Sequence, residues 1–99
     1  MSIKLSVMSN NSKVYAEAFI KKYGDSEVKL RHPVLTIMDN RPDPFSSGAN
    51  GYIKKARVRN GILELYHDWW AYGWYSYDDM YAKYADATNE ALRQLNIIQ

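Results

Sequence analysis

Ninety-nine residues, 46% of them apolar, with a formal net charge of +2, describe one folded domain spanning 1–99 with room for one modest core. The absence of cysteine excludes disulfides, thiolate metal sites and a cysteine nucleophile, and it fits a reducing compartment. The opening Met-Ser-Ile-Lys-Leu-Ser-Val lacks a signal-peptide core and no apolar run is long enough to span a bilayer, so a cytoplasmic, unprocessed protein is expected.

Ile3, Leu5 and Val7 alternate with Lys4 and Ser6, the period-two pattern of a half-buried strand. Asn10, Asn11 and Ser12 offer capping oxygens to a helix over 13–23. Ala16, Phe19, Ile20 and Tyr23 fall on one face of that helix, and Gly24 supplies its stop. A second strand is predicted over 27–38. Pro33 interrupts it, and the missing N–H implies an edge position, a bulge or a kink. Residues 39–51 hold Pro42, Pro44, Gly48 and Gly51 with little periodicity. They read as a long loop, either flexible or a binding finger carrying Arg41 and Phe45.

The hairpin is the sharpest local signal. Runs at 52–59 and 62–68 flank Asn60-Gly61, the dipeptide that favours a two-residue type I′ turn. This register sets Arg59 against Ile62, Val58 against Leu63, Arg57 against Glu64, Ala56 against Leu65 and Lys55 against Tyr66. Ala56, Val58, Leu63 and Leu65 then share an apolar face. Lys55, Arg57, Arg59, Glu64 and Tyr66 share the other, with Arg57 and Glu64 as a cross-strand ion pair.

Residues 69–75 read as a short irregular or helical segment, because Gly73 within a longer helix costs about 1 kcal/mol relative to alanine. Ser76 with Asp79 three residues on resembles a capping box. Tyr77, Tyr81, Tyr84, Thr88, Ala91 and Leu95 then form a helical stripe facing the sheet. The expected fold is a single α+β domain, β-α-β-β-β-α, with a four-stranded antiparallel or mixed sheet and two helices on one face.

Charge is uneven along the chain. Through Asn60 eleven Lys and Arg face five Asp and Glu, or +6; from Gly61 two face six, or −4. This reads either as ordinary solvated charge that intermixes once the chain folds, or as a basic sheet face opposite an acidic helix, suited to orienting a partner.

Chemistry is thinly signalled. His67 and Asp68 are neighbours in a strand and point to opposite faces, and His32 precedes a proline. No spacing matches a zinc site, a P-loop, a dinucleotide fingerprint or a nucleophile elbow. No catalytic residue, metal ligand or cofactor is assigned, and an enzyme is disfavoured.

Three tryptophans and six of nine tyrosines crowd between Tyr66 and Tyr84, more ring surface than so small a core is expected to hide. About half should pack on the sheet, Trp69, Tyr77, Tyr81 and Tyr84 among them. If the second hairpin strand continues, Tyr66, Trp70 and Tyr72 extend the outer face beside Lys55, Arg57 and Arg59, with Trp74 close by. Tryptophan, tyrosine and arginine are the types enriched at energetic centres of protein interfaces. The expected function is a non-enzymatic protein-binding module acting by surface occupation, or a self-associating dimer. The alternative is nucleic-acid binding, with the cations on phosphates and Tyr66, Trp70 or Trp74 stacking on bases. A small nucleotide or metabolite held beneath the 39–51 loop is a third reading. In size, lack of cysteine and aromatic density the chain resembles accessory proteins of phages and other mobile elements, anti-CRISPR inhibitors included. The resemblance is one of habit and transfers no functional residues.

Overall fold

The computed structural model describes residues 11–37, 49–68 and 73–98. They form helix α1 (Asn11–Tyr23), strands β1 (Val28–Ile37), β2 (Ala49–Arg59), β3 (Ile62–Asp68) and β4 (Gly73–Ser76), and helices α2 (Tyr77–Lys83) and α3 (Ala85–Gln94). The strands make an antiparallel meander in the order β1-β2-β3-β4. The class is therefore α+β with a four-stranded sheet, as the pattern implies. The expected strand at Ile3–Val7 lies outside the described residues, as do Arg41, Phe45, Trp69, Trp70 and Tyr72.

Asn60 and Gly61 both take positive φ, 54° and 73°, the requirement of a type I′ turn. The predicted register follows pair by pair, from Arg59 opposite Ile62 to Lys55 opposite Tyr66. Beyond that point it slips, so that Ile53 faces His67 and Lys54 is an extra residue. This bulge has a packing purpose. It lets Ile53 and Ala56, three residues apart, both turn inward and become fully buried, while Lys54 and Lys55 stay at the surface. Strand β2 also begins earlier than expected, so residues 49–51 belong to the sheet and not to a loop.

Strand β1 breaks where Pro33 predicts. Lys29 pairs with Lys55 and the next pair is Val34 with Ile53, leaving Leu30–Pro33 out of register on a strand that is at the sheet's edge among the described residues. Gln94 of α3 spans the break. It accepts from the His32 N–H through Oε1 and donates from Nε2 to the His32 carbonyl, both at 3.0 Å. The amide side chain thus satisfies edge backbone groups that another strand would otherwise seek.

Strand β4 corrects the irregular or helical reading of its residues. Trp74 pairs with Tyr66 and Tyr75 with Leu65. Gly73 opens the strand at φ 152°, a value that side chains seldom adopt. Helical spacing ran back through Trp74 only because aromatic residues occupy consecutive positions, and pairing with β3 decides in favour of the strand. Ser76 then caps α2 as expected, accepting from the Asp79 N–H at 3.1 Å.

The C-terminal helix is two helices. Tyr84, at φ −137° and ψ 65°, breaks it without a glycine or proline. The redirection is useful, since α2 packs on β3 and β4 while α3 packs on β1 and β2. Helix α3 ends in a Schellman motif, with Asn96 left-handed at φ 60°, its N–H on the Arg93 carbonyl and the Ile97 N–H on the Leu92 carbonyl. Helix α1 stops as predicted, the Gly24 N–H reaching the Ile20 carbonyl at 2.9 Å.

Phe19, Ile53, Leu63, Leu65, Leu92 and Leu95 are sealed between the helices and the inner sheet face. Each such side chain contributes about 1.5–3 kcal/mol by leaving water. Two members of the predicted stripes do not join them. Ile20 and Tyr81 remain 44% and 43% exposed, and Met80 and Leu92 occupy the buried sides of α2 and α3 instead. The start of α1 meets the start of α2 through Ser12 and Asp78. The Ser12 hydroxyl donates to the Asp78 carboxylate and accepts from the Asp78 N–H, each at 3.0 Å. A buried serine on one helix thereby satisfies an orphan N–H on another.

Candidate functional site

Alternation on β2 and β3 sends Tyr52, Lys55, Arg57, Arg59, Ile62, Glu64, Tyr66 and Asp68 away from the core. Pairing arranges them in cross-strand rows. Lys29, Lys55, Tyr66 and Trp74 form one row across all four strands. Arg57, Glu64 and Ser76 form the next towards the turn, and Leu35, Tyr52 and Asp68 the one on the other side.

The rows are held together by ring and charge contacts. Tyr66 meets Trp74 edge to face, with centroids 5.3 Å apart. The Arg57 guanidinium lies 4.0 Å from the centre of the Trp74 ring, and Lys55 Nζ lies 5.0 Å from Tyr66 and 5.6 Å from Trp74. These are cation–π distances. Arg57 Nε also donates to Glu64 at 2.8 Å, with the two side chains only 17% and 23% exposed, so the guanidinium is fixed in its plane and along one edge. Lys55 reaches Glu27 at 3.3 Å. Lys54 bonds Asp68 at 2.6 Å, and that hydrogen bond, with the carboxylate's charge, raises the lysine above its ordinary pKa.

The structure brings together Lys55, Arg57, Tyr66 and Trp74 of the predicted set. Arg59 stands apart, exposed opposite Ile62, without an ion-pair partner among the described residues. Trp70 and Tyr72 lie outside the described residues. Sequence reasoning missed Lys29, Lys54 and the exposed Leu35–Tyr52 pair. Their positions depend on the bulges in β1 and β2, which a simple alternation cannot register.

The inner rings contrast with these. Tyr77 and Tyr84 are buried, and loss of hydration pushes both hydroxyls above the ordinary tyrosine range. Tyr77 meets Tyr15 edge-on at 4.9 Å, and Tyr84 tilts against His67 at 5.3 Å. His67 is itself buried and shares a 2.8 Å hydrogen bond between Nε2 and Thr36 Oγ1. Burial lowers its pKa, favouring the neutral ring. Asp68 points to the opposite face, onto Lys54, so the adjacent pair forms no dyad. No group of three His, Asp or Glu suited to a metal occurs among the described residues.

Charge divides by layer differently from its order in sequence. The strands carry Lys29, Arg31, Lys54, Lys55, Arg57 and Arg59 against Glu64 and Asp68, six against two, a surplus of four. The helices balance, with Lys13, Lys21, Lys22, Lys83 and Arg93 against Glu17, Asp78, Asp79, Asp86 and Glu90, five against five. The strands are basic and the C-terminal helices α2 and α3 are acidic, four against two, while the lysines of α1 bring the helices together to balance.

No helix among the described residues is long and apolar enough to cross a membrane. Comparison with protein-family models, curated proteins and solved structures finds no match to this chain. What defines it is a small α+β fold whose outer sheet face carries a cation-braced aromatic cluster.

Proposed function

We propose that this chain is a non-enzymatic protein-binding module that works by covering a partner's surface with the outer face of its sheet. The observation that carries this reading is the Trp74–Arg57–Glu64 arrangement, in which a tryptophan and an arginine are already held in one geometry. Side chains ordered before contact lose less conformational entropy on binding, and these types dominate interface energetics. Occupation of a target in this way suits an inhibitor or accessory protein of a phage or mobile element, the setting its size and habit resemble.

Nucleic-acid binding is the weaker reading. Arg57 covers a face of the Trp74 ring that a base would need, and Glu64 and Asp68 stand in the same face, where a phosphate backbone would meet them. Affinity capture from the native cell, run with wild type and Trp74→Ala under matched circular dichroism, tests the proposal. A specific protein should be retained by wild type and lost with the variant, and retention should survive moderate salt. Equal capture by both proteins overturns the reading. Retention of single-stranded nucleic acid that collapses as salt rises would transfer the face to phosphate recognition.

A further inference from the structure

We infer that the partner of this face presents aspartate or glutamate side chains, one of which docks on the outward end of the Arg57 guanidinium. This rests on the protein-binding reading above and adds the chemistry of the partner. Arginine offers five N–H donors, and here the Nε donor is committed to Glu64. The two Nη groups have no hydrogen-bond partner among the described residues. The Arg57 side chain as a whole keeps 17% of its surface open to water. Among the described residues only Nε of the guanidinium is committed, while Trp74 and Glu64 hold its plane. A planar fork held in this way matches the two oxygens of a carboxylate.

The surroundings narrow the occupant. Lys55 lies over the same Trp74 ring, and Lys29 follows in the Lys55 row, so a second acidic side chain meets positive charge across the sheet. On the outer face Lys29, Lys55, Arg57 and Arg59 outnumber Glu64 and Asp68, and this net positive charge repels a second copy of the same face, which argues against a symmetric dimer built on it. Discrete carboxylates of a folded or extended partner can be spaced to avoid Glu64 and Asp68, whereas a phosphodiester chain carries charge continuously past them.

The test pans a random dodecapeptide display library against immobilised wild type, Arg57→Lys and Trp74→Ala, each checked for its folded circular dichroism spectrum. Peptides selected by wild type should be enriched in Asp and Glu relative to the unselected library. Synthesised singly, they should lose about tenfold or more in affinity to Arg57→Lys, which keeps the charge and removes the fork. Selected peptides that depend on Trp74 but carry no excess of acids would sink this inference and leave the protein-binding face standing. Acidic peptides indifferent to Arg57→Lys would likewise refute the docking site. No selected peptide that depends on either residue sinks both readings. A twenty-nucleotide poly-dT probe bound more tightly than the peptides, and released by Arg57→Lys, would assign the fork to phosphate and overturn the proposal.

Discussion

The two faces of the β2–β3 hairpin are built from alternate residues of the same strands, yet they hold aromatic rings by different forces. On the inner face His67 contacts Tyr84, and both are shielded from water. On the outer face Tyr66 and Trp74 keep partial contact with water and are braced by Lys55 and Arg57. Inner rings are fixed because moving them opens a cavity. Outer rings are fixed by electrostatic contacts that a partner can share or replace. One face should therefore be alterable without unfolding the other, and with the binding role proposed above that would separate stability from recognition.

The sharpest way to break this comparison is to empty the inner face. Phe19→Ala should destabilise the protein by about 3–5 kcal/mol and Leu65→Ala by about 2–5 kcal/mol, read by urea unfolding. Trp74→Ala should cost clearly less than either while abolishing binding. If Trp74→Ala unfolds the chain as Phe19→Ala does, the outer ring is part of the core and the contrast fails.

Next in size is the buried polar pair. Thr36→Val strips His67 Nε2 of its hydrogen bond and should cost about 1–3 kcal/mol. His67 also makes stability depend on pH. The unfolded chain takes up its proton near the ordinary histidine value of 6.5, and the folded chain only at lower pH. The contribution of the neutral ring is thus complete above that value and is lost as pH falls through the lowered one. Urea midpoints measured from about pH 7 to about pH 5 should fall more steeply for wild type than for His67→Gln. Parallel curves would show that His67 titrates as it does in the unfolded chain.

Gly61→Ala tests the turn that joins the faces. A methyl group there meets no atom within 4 Å, so the cost is backbone strain at φ 73°, about 1–2 kcal/mol in a thermal melt. Smallest is Arg57→Ala. The ion pair with Glu64 is partly open to water, and its loss should cost about 0–1 kcal/mol. The association rate with the partner should drop by more than that stability change suggests, as stopped-flow mixing would show.

The hairpin, its register, the irregularity at Pro33, the Ser76 cap and the Gly24 stop were legible from the residues. Each rests on interactions within a few positions of one another or on a turn with one favoured conformation. The inner and outer assignments of Ala56 through Tyr66 followed from alternation alone. Four features were not legible: the Lys54 bulge, strand β4, the break at Tyr84 and the Ser12–Asp78 contact. Each depends on which distant segment is available to pair or pack. Local propensity for Gly73–Ser76 does not distinguish a strand from an irregular segment until β3 lies beside it. The aromatic and cationic residue types were therefore present in the sequence, but only the tertiary structure stacked Arg57 on Trp74. That contact joins β2 to β4 across β3, and no periodicity within a single strand encodes a neighbour two strands away.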